Sequence, residues 1–334
     1  MIGMRKFVRF FYVLSLSLSL SLILPLTLCG CPKKSGGTAR VVHIAIQPSA
    51  AFIPLYVARY NHFIEDALLP MGVSVVWQDF ESGPPMNASL AAEMSDIGVI
   101  GDVPTVSALS GAVPMKLVGI PASGPDAYAM LARPDDASFR SSADMKGKRI
   151  ATVFGSTGHN LTMKLLQKNG LSFEDIEFIS IAAGDAENAL SSGLADAVVI
   201  WEPNVTRLID GGRAKIVALG SETDLQGTNG FVVRAEYLVS QREVISTILE
   251  QYQRAVELVP ALDEATLIKL AGALTLTPSQ VQKIAEKYDY SVVIADQDVE
   301  ALQDTVRFFV SIGNLASPYP VGAKTDRTIY SAQK

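Results

Sequence analysis

Cysteine is nearly absent. The 334 residues hold two, Cys29 and Cys31, both close to the start. Everything downstream is therefore without a disulfide framework or a cysteine metal motif. Histidine is as scarce, and His43, His62 and His159 lie far apart, so no metal-ligand spacing is visible. Basic residues do not dominate: 28 Lys and Arg stand against 34 Asp and Glu, a net charge of −6. That balance argues against a nucleic-acid partner, which wants a basic patch. The chain also lacks a G-x-S-x-G elbow, an H-E-x-x-H pair and a G-x-x-x-x-G-K-[ST] loop. Those absences point away from an enzyme, and no catalytic residue, cofactor or metal is expected.

Acidic residues are missing from Met1 to Gly30, where Arg5, Lys6 and Arg9 precede an apolar run from Phe10 to Leu28. That is a secretory leader pattern. No later apolar run is long enough to span a bilayer. The leader ends in Leu28-Cys29-Gly30-Cys31, which resembles a bacterial lipobox. Cys31 is the better acceptor, with small Gly30 before it and Leu28 three places back; Cys29 follows bulky Leu28. Residues 1–30 therefore read as a lipoprotein signal peptide and 31–40 as a small, polar tether. The expected address is extracytoplasmic, with the chain held at the membrane by a lipid on Cys31.

From Val41 onward, short β-branched runs alternate with helical segments, the pattern of a parallel sheet covered by helices. The strands read as 41–46, 73–77, 97–100 and 116–119, then 149–153, 177–181, 196–200 and 215–218. Helices read as 54–63, 84–94, 104–110, 158–169, 185–193 and a segment ending at Gly211. The second set repeats the first. Ser95-Asp96-Ile97-Gly98-Val99-Ile100-Gly101-Asp102-Val103-Pro104 parallels Ala195-Asp196-Ala197-Val198-Val199-Ile200-Trp201-Glu202-Pro203. Each has an Asp, an apolar strand, a carboxylate and a proline-started helix. Duplication implies two similar lobes. After Arg234 the chain is helical, with stripes in 242–258, 278–288 and 298–312 that need a partner surface. The first lobe is the natural one. The lobes then comprise 41–121 with 236–334, and 122–235, joined by two crossings near 119–130 and 225–234.

Ligands of open parallel sheets bind beyond the carboxyl ends of the strands. Here those ends are Gln47 to Phe52, Glu81 to Pro85, Gly101 to Pro104, Gly155 to His159 and Trp201 to Pro203. Most precede a helix, whose free N–H groups and positive dipole end attract an anion without a Lys or Arg. Ser49, Ser82, Ser156 and Thr157 add hydroxyls, and each of them is equally a helix cap. The pattern suits a small anion such as a sulfonate.

These residues resemble a known family. Gln47-Pro48-Ser49 with Pro54-Leu55-Tyr56-Val57-Ala58, Gly101-Asp102-Val103-Pro104, Met145 to Ala151, Gly155 to Leu161, and Trp201-Glu202-Pro203 occur in an order similar to the nitrate/sulfonate/taurine group of ABC-importer substrate-binding lipoproteins. The resemblance covers roughly Val41 to Leu258. It implies a type II periplasmic-binding-protein fold: two α/β lobes, a ligand cleft between them and two crossing strands, closing on a hinge. It also implies permease subunits as partners, a small-molecule anion as cargo and a monomer. Aliphatic sulfonates or taurine lead. Nitrate, bicarbonate or a thiamine-pathway pyrimidine would fit the same role, as would a ligand-sensing lipoprotein. Relatives that make a thiamine pyrimidine would need a Cys-rich metal motif, which this chain lacks.

The candidate ligand residues are Gln47, Ser49, Ala50, Ala51 and Phe52; Ser82 and Gly83; Gly101 and Asp102; Tyr128; Gly155, Ser156, Thr157 and His159; and Trp201 and Glu202. Trp201 would pack on an alkyl chain or serve as hinge core. Glu202 would accept a ligand amine, as taurine needs, or make a hinge hydrogen bond. Asp102 would cap the Pro104 helix through the N–H of Thr105 or Val106. His159 would face solvent or cap its helix. Tyr128, on a crossing strand, would border the cleft.

Overall fold

The computed structural model describes residues 40–330. The signal peptide, Cys31 and nearly all of the tether lie outside the described residues. Among those described, no helix is long and apolar enough to cross a membrane.

The first run is β1 (Arg40–Ile46), α1 (Ile53–Tyr60), α2 (Phe63–Leu68), β2 (Val73–Asp79), α3 (Gly83–Ala91), β3 (Ile97–Ile100), α4 (Asp102–Ser110) and β4 (Met115–Gly119). The second is β5 (Ala122–Ser123), β6 (Tyr128–Ala132), β7 (Arg149–Thr152), α5 (Thr157–Lys168), β8 (Glu177–Ser180), α6 (Ala186–Ser191), β9 (Ala197–Trp201), α7 (Asn204–Asp210) and β10 (Lys215–Leu219). The chain returns through β11 (Gly230–Arg234), α8 (Ala235–Ser240), α9 (Arg242–Leu258), α10 (Glu264–Leu274), α11 (Pro278–Ala285), β12 (Asp289–Tyr290) and α12 (Asp296–Ser311).

Two five-stranded sheets result, ordered β2-β1-β3-β11-β4 and β10-β6-β9-β7-β8. Neither is wholly parallel, which corrects the sequence expectation. β11 runs antiparallel to β3 and β4, and β6 runs antiparallel to β9 and β10. Both odd strands come from the crossings. Tyr128–Ala132 and Gly230–Phe231-Val232-Val233 are apolar, so the chain buries them in the sheet it has just entered instead of spanning the gap. β11 thus belongs to the first sheet, and a lobe boundary at 235 falls one strand late. β5 and β12 form a separate two-stranded ribbon.

Local chemistry explains the element ends. The helix expected over 54–63 stops at Tyr60, because His62 takes a left-handed φ of 56°, and restarts at Phe63. α10, missed from the pattern, is capped by the Asp263 carboxylate, which accepts from Thr266 N–H at 2.8 Å. α5 is capped by Ser156, whose Oγ accepts from His159 N–H at 3.3 Å. Gly158 in its first turn is a steric necessity. A Cβ there would come within 2.5 Å of Thr152 Oγ1 and 2.9 Å of the Val199 carbonyl, so α5 lies hard on its sheet. The C-terminal helices pack on the first lobe: α9 and α10 against α1, and α12 against α4. Tyr252, wholly buried on α9, meets Phe231 edge-on and donates to the Pro121 carbonyl at 2.6 Å.

Candidate functional site

The strand ends of the two sheets face one another across a small chamber of about 20 Å³. Gln47 and Ser49 follow β1, Gly83 opens α3, and Gly101 and Pro104 follow β3. Ser156 and Thr157 open α5, Tyr128 starts β6, Trp201 ends β9, and Asn229 precedes β11. The lobes approach closely here: a Cβ on Gly101 would lie 2.5 Å from Thr157 Oγ1.

No Lys or Arg lines the chamber. Its polar side chains are hydroxyls and amides. Pro84, Pro85 and Pro104 remove N–H groups from the first turns of α3 and α4, and Asp102 takes that of Val103, which leaves the start of α5 richest in free N–H groups. The seryl hydroxyls are partly used. Ser156 Oγ donates to the Val153 carbonyl at 2.7 Å while capping α5, and Ser49 Oγ accepts from Ala51 N–H at 3.3 Å. Gln47 is buried and its side-chain oxygen finds no partner. An unpaired buried amide is costly, so it is poised for a bound molecule. Burial, then the neighbouring Asp102, raises the Tyr128 phenol far above its ordinary range, so it remains a donor. Trp201 also borders a wider opening of about 380 Å³, lined by Pro48, Glu81, Asp185, Asn204, Arg207 and Thr275 among others.

Eight of the sixteen candidates line the chamber: Gln47, Ser49, Gly83, Gly101, Tyr128, Ser156, Thr157 and Trp201. Ala50, Ala51 and Phe52 are core, and Ser82 is buried just before α3 without capping it. Gly155 takes φ 72° in the turn before α5.

Three candidates have other work. The Glu202 carboxylate accepts from Thr206 N–H at 3.0 Å, Thr206 Oγ1 at 2.9 Å and Lys287 Nζ at 2.5 Å. It is fully buried, joins α7 to Lys287 of the far lobe and does not line the chamber. Asp102 is buried too, but it accepts from Val103 N–H at 2.7 Å, Asn160 Nδ2 at 2.8 Å and Thr305 Oγ1 at 3.2 Å. It does not cap through Thr105 or Val106. Burial raises its pKa, partly offset by these donors and by Thr157. His159 is not exposed; its Nδ1 accepts from Gly155 N–H at 3.4 Å, just before the cap of α5. Its ring lies 4.8 to 5.4 Å from those of Phe154, Phe173, Phe178 and Phe308. Burial lowers its pKa to about 4. Helical spacing turns it inward, one position from Asn160, which faces the other lobe.

Sequence reasoning did not single out Asn229 or Pro104 as ligand residues. Asn229 Nδ2 donates to the carbonyls of Ala122 and Gly227, at 3.2 and 2.9 Å, pinning the two crossings together beside the chamber. The signal was there: a polar Thr228-Asn229-Gly230 stretch just where a crossing strand begins. Among the described residues, no group of three or more His, Cys, Asp or Glu side chains is placed to hold a metal.

A family model described as NMT1/THI5 like matches residues 49–263. A protein of Bacillus subtilis (strain 168), provisionally named an aliphatic sulfonates-binding protein, is 28% identical over 282 residues, 84% of each chain. A protein of Escherichia coli (strain K12) with the same provisional name is 29% identical over 256 residues, 75% of this chain and 78% of its own. The solved alkanesulfonate-binding protein SsuA of Xanthomonas axonopodis pv. citri, bound to MOPS, superposes with a TM-score of 0.79 at 26% identity. It covers 86% of this chain and 98% of its own.

Proposed function

The chain belongs to the NMT1/THI5-like family, and from that premise we propose that it is the extracytoplasmic solute-binding component of an ABC importer that captures an aliphatic sulfonate. The observation that carries the ligand class is the chamber wall: hydroxyls, amides, an indole and helix N-termini, with no cationic side chain. A sulfonate is a monoanion at every physiological pH and offers three acceptor oxygens. Neutral donors and dipole ends suit one buried charge. A dianion such as sulfate would leave a second charge uncompensated in a dry site, at high cost. The relatives named for aliphatic sulfonates support the same reading.

With Glu202 engaged by Lys287 and Thr206, no free carboxylate waits for a ligand amine there. Unaminated alkanesulfonates are therefore preferred over taurine. The cycle is capture: sulfonate enters past Trp201, bridges the first turns of α3, α4 and α5, and the closed form delivers it to permease subunits. The protein works as a binding component without chemistry of its own, as a monomer, tethered by lipid on Cys31. Cys31→Ser would then be found free of the membrane fraction.

The deciding experiment is thermal unfolding against methanesulfonate, longer alkanesulfonates, taurine, nitrate, sulfate, bicarbonate and a pyrimidine. A ligand at one hundred times its dissociation constant adds about 2.7 kcal/mol. Alkanesulfonates should raise the midpoint most. The Ser156→Ala/Thr157→Ala double variant should lose most of that shift, while its ligand-free stability falls only by the cost of a lost helix cap, about 1 kcal/mol. A response to nitrate or the pyrimidine alone would discard the sulfonate reading, and an unchanged shift in the double variant would move the site.

A further inference from the structure

Thr157, Asn160 and Lys164 recur on α5 at spacings of three and four, so they share one face of the helix. That face is turned toward the first lobe. Thr157 lines the chamber. Asn160 donates to Asp102 at the start of α4 at 2.8 Å. Lys164, whose side chain is only 8% exposed, is gripped by Asp304 of α12 and, at 2.7 Å, by Asp224 in the return crossing. Thr305, next to Asp304, donates to the same Asp102 at 3.2 Å. The contacts close a ring: α5 to α12 through Lys164–Asp304, α12 to α4 through Thr305–Asp102, α4 back to α5 through Asp102–Asn160. Two chamber walls sit on this ring, Gly101 one residue from Asp102 and Thr157 one turn from Asn160.

We propose that Lys164 is a positioning residue for ligand binding: by pairing with Asp304 it sets how firmly the lobes shut on a ligand that Lys164 does not touch. Asp224 follows closely on β10 and travels with the second lobe, whereas Asp304 travels with the first. Closure joins Lys164 to Asp304 where water is largely excluded and their attraction is stronger than in solvent, and opening the cleft gives that attraction up. Asp304 keeps only Arg307, at 3.3 Å. The closed arrangement satisfies both charges. Ligand release requires opening, so the pair acts on dissociation and leaves the encounter alone. The inference takes from the proposed function only the identity of the ligand.

The test compares the purified protein with its Lys164→Met, Lys164→Arg and Asp304→Asn variants. Ethanesulfonate binding is followed by stopped-flow tryptophan fluorescence, since Trp201 lines the chamber. Solution scattering is recorded for each protein with and without ligand. Lys164→Met should release ethanesulfonate faster by roughly thirty-fold or more, the scale of losing one partner of a buried charge pair. Its association rate should stay near that of the unmodified protein. Asp304→Asn should speed release in the same direction, and Lys164→Arg should recover most of the loss. Unchanged dissociation in both Lys164→Met and Asp304→Asn overturns the proposal, as does a loss confined to the association rate. If no ethanesulfonate binds the unmodified protein, the sulfonate reading fails while scattering still judges the latch. A more open Lys164→Met form upholds it, and identical curves reject it.

Discussion

The two lobes carry the same short unit, an Asp, a strand and a second carboxylate, and they use its two ends differently. The leading carboxylates do the same job. Asp96 donates its N–H to the His43 carbonyl at 3.0 Å, and its side chain accepts from His43 N–H at 2.8 Å and from Arg234 at 2.6 Å. Asp196 donates to the Arg149 carbonyl at 2.8 Å and accepts from Arg149 N–H at 2.9 Å and its guanidinium at 2.7 Å. Each clamps the neighbouring parallel strand and pairs with an arginine. The trailing carboxylates diverge. Glu202 meets an ammonium, Lys287, whereas Asp102 meets only neutral donors. The clamp serves the sheet, so both lobes keep it. The trailing position faces the cleft, where the lobes meet different surfaces.

That contrast can be broken by mutation. Glu202→Ala removes one half of a buried pair and the acceptor for Thr206, and should cost about 3–5 kcal/mol in urea unfolding. A loss no larger than that of a surface substitution would mean that Lys287 and Thr206 are satisfied elsewhere.

His159 extends the comparison to a buried ionisable group set among aromatic rings, with one backbone donor, Gly155 N–H, and no charged partner. Its folded pKa, down to about 4, lies below the ordinary 6.5. The unfolded chain therefore binds the proton first as pH falls. The stability tied to neutral His159 is complete above about pH 6.5 and drains away toward pH 4. Between pH 7 and pH 5 the loss is about 2 kcal/mol. His159→Phe should flatten that part of the profile, and an unaltered slope would assign it to other groups. The smallest effect is expected at Asp102. Asp102→Asn keeps an acceptor oxygen and removes a charge that no cation balances, so stability should change by no more than about 1 kcal/mol. A penalty as large as that of Glu202→Ala would show that the two positions are energetically alike after all.

Much of the fold was legible locally. β1 and β3 were placed to within one residue, and 242–258 to the residue, because period-2 and period-3.6 patterns are written in neighbouring side chains. The chamber was legible in outline for the same reason: strand ends before proline- or serine-started helices are local features. What misread was long-range. Apolar Phe231-Val232-Val233 looks the same whether it bridges two lobes or enters a sheet. His62 breaks α1 through a backbone angle, without a Gly or Pro to announce it. Glu202 finds Lys287, and Asp102 finds Thr305, only once the return helices have packed on the first lobe.

The amino-acid sequence alone therefore determined the two α/β repeats and the serine- and proline-marked helix starts at the strand ends. Those follow from residue type and spacing along a few turns of chain. Only the tertiary structure decided which carboxylate is paired, that His159 lies among four phenylalanines, that Asn229 reaches the chamber and that Lys164 joins the lobes. Each depends on groups brought together from distant segments, where burial and partner charge, set by packing, decide what a side chain does.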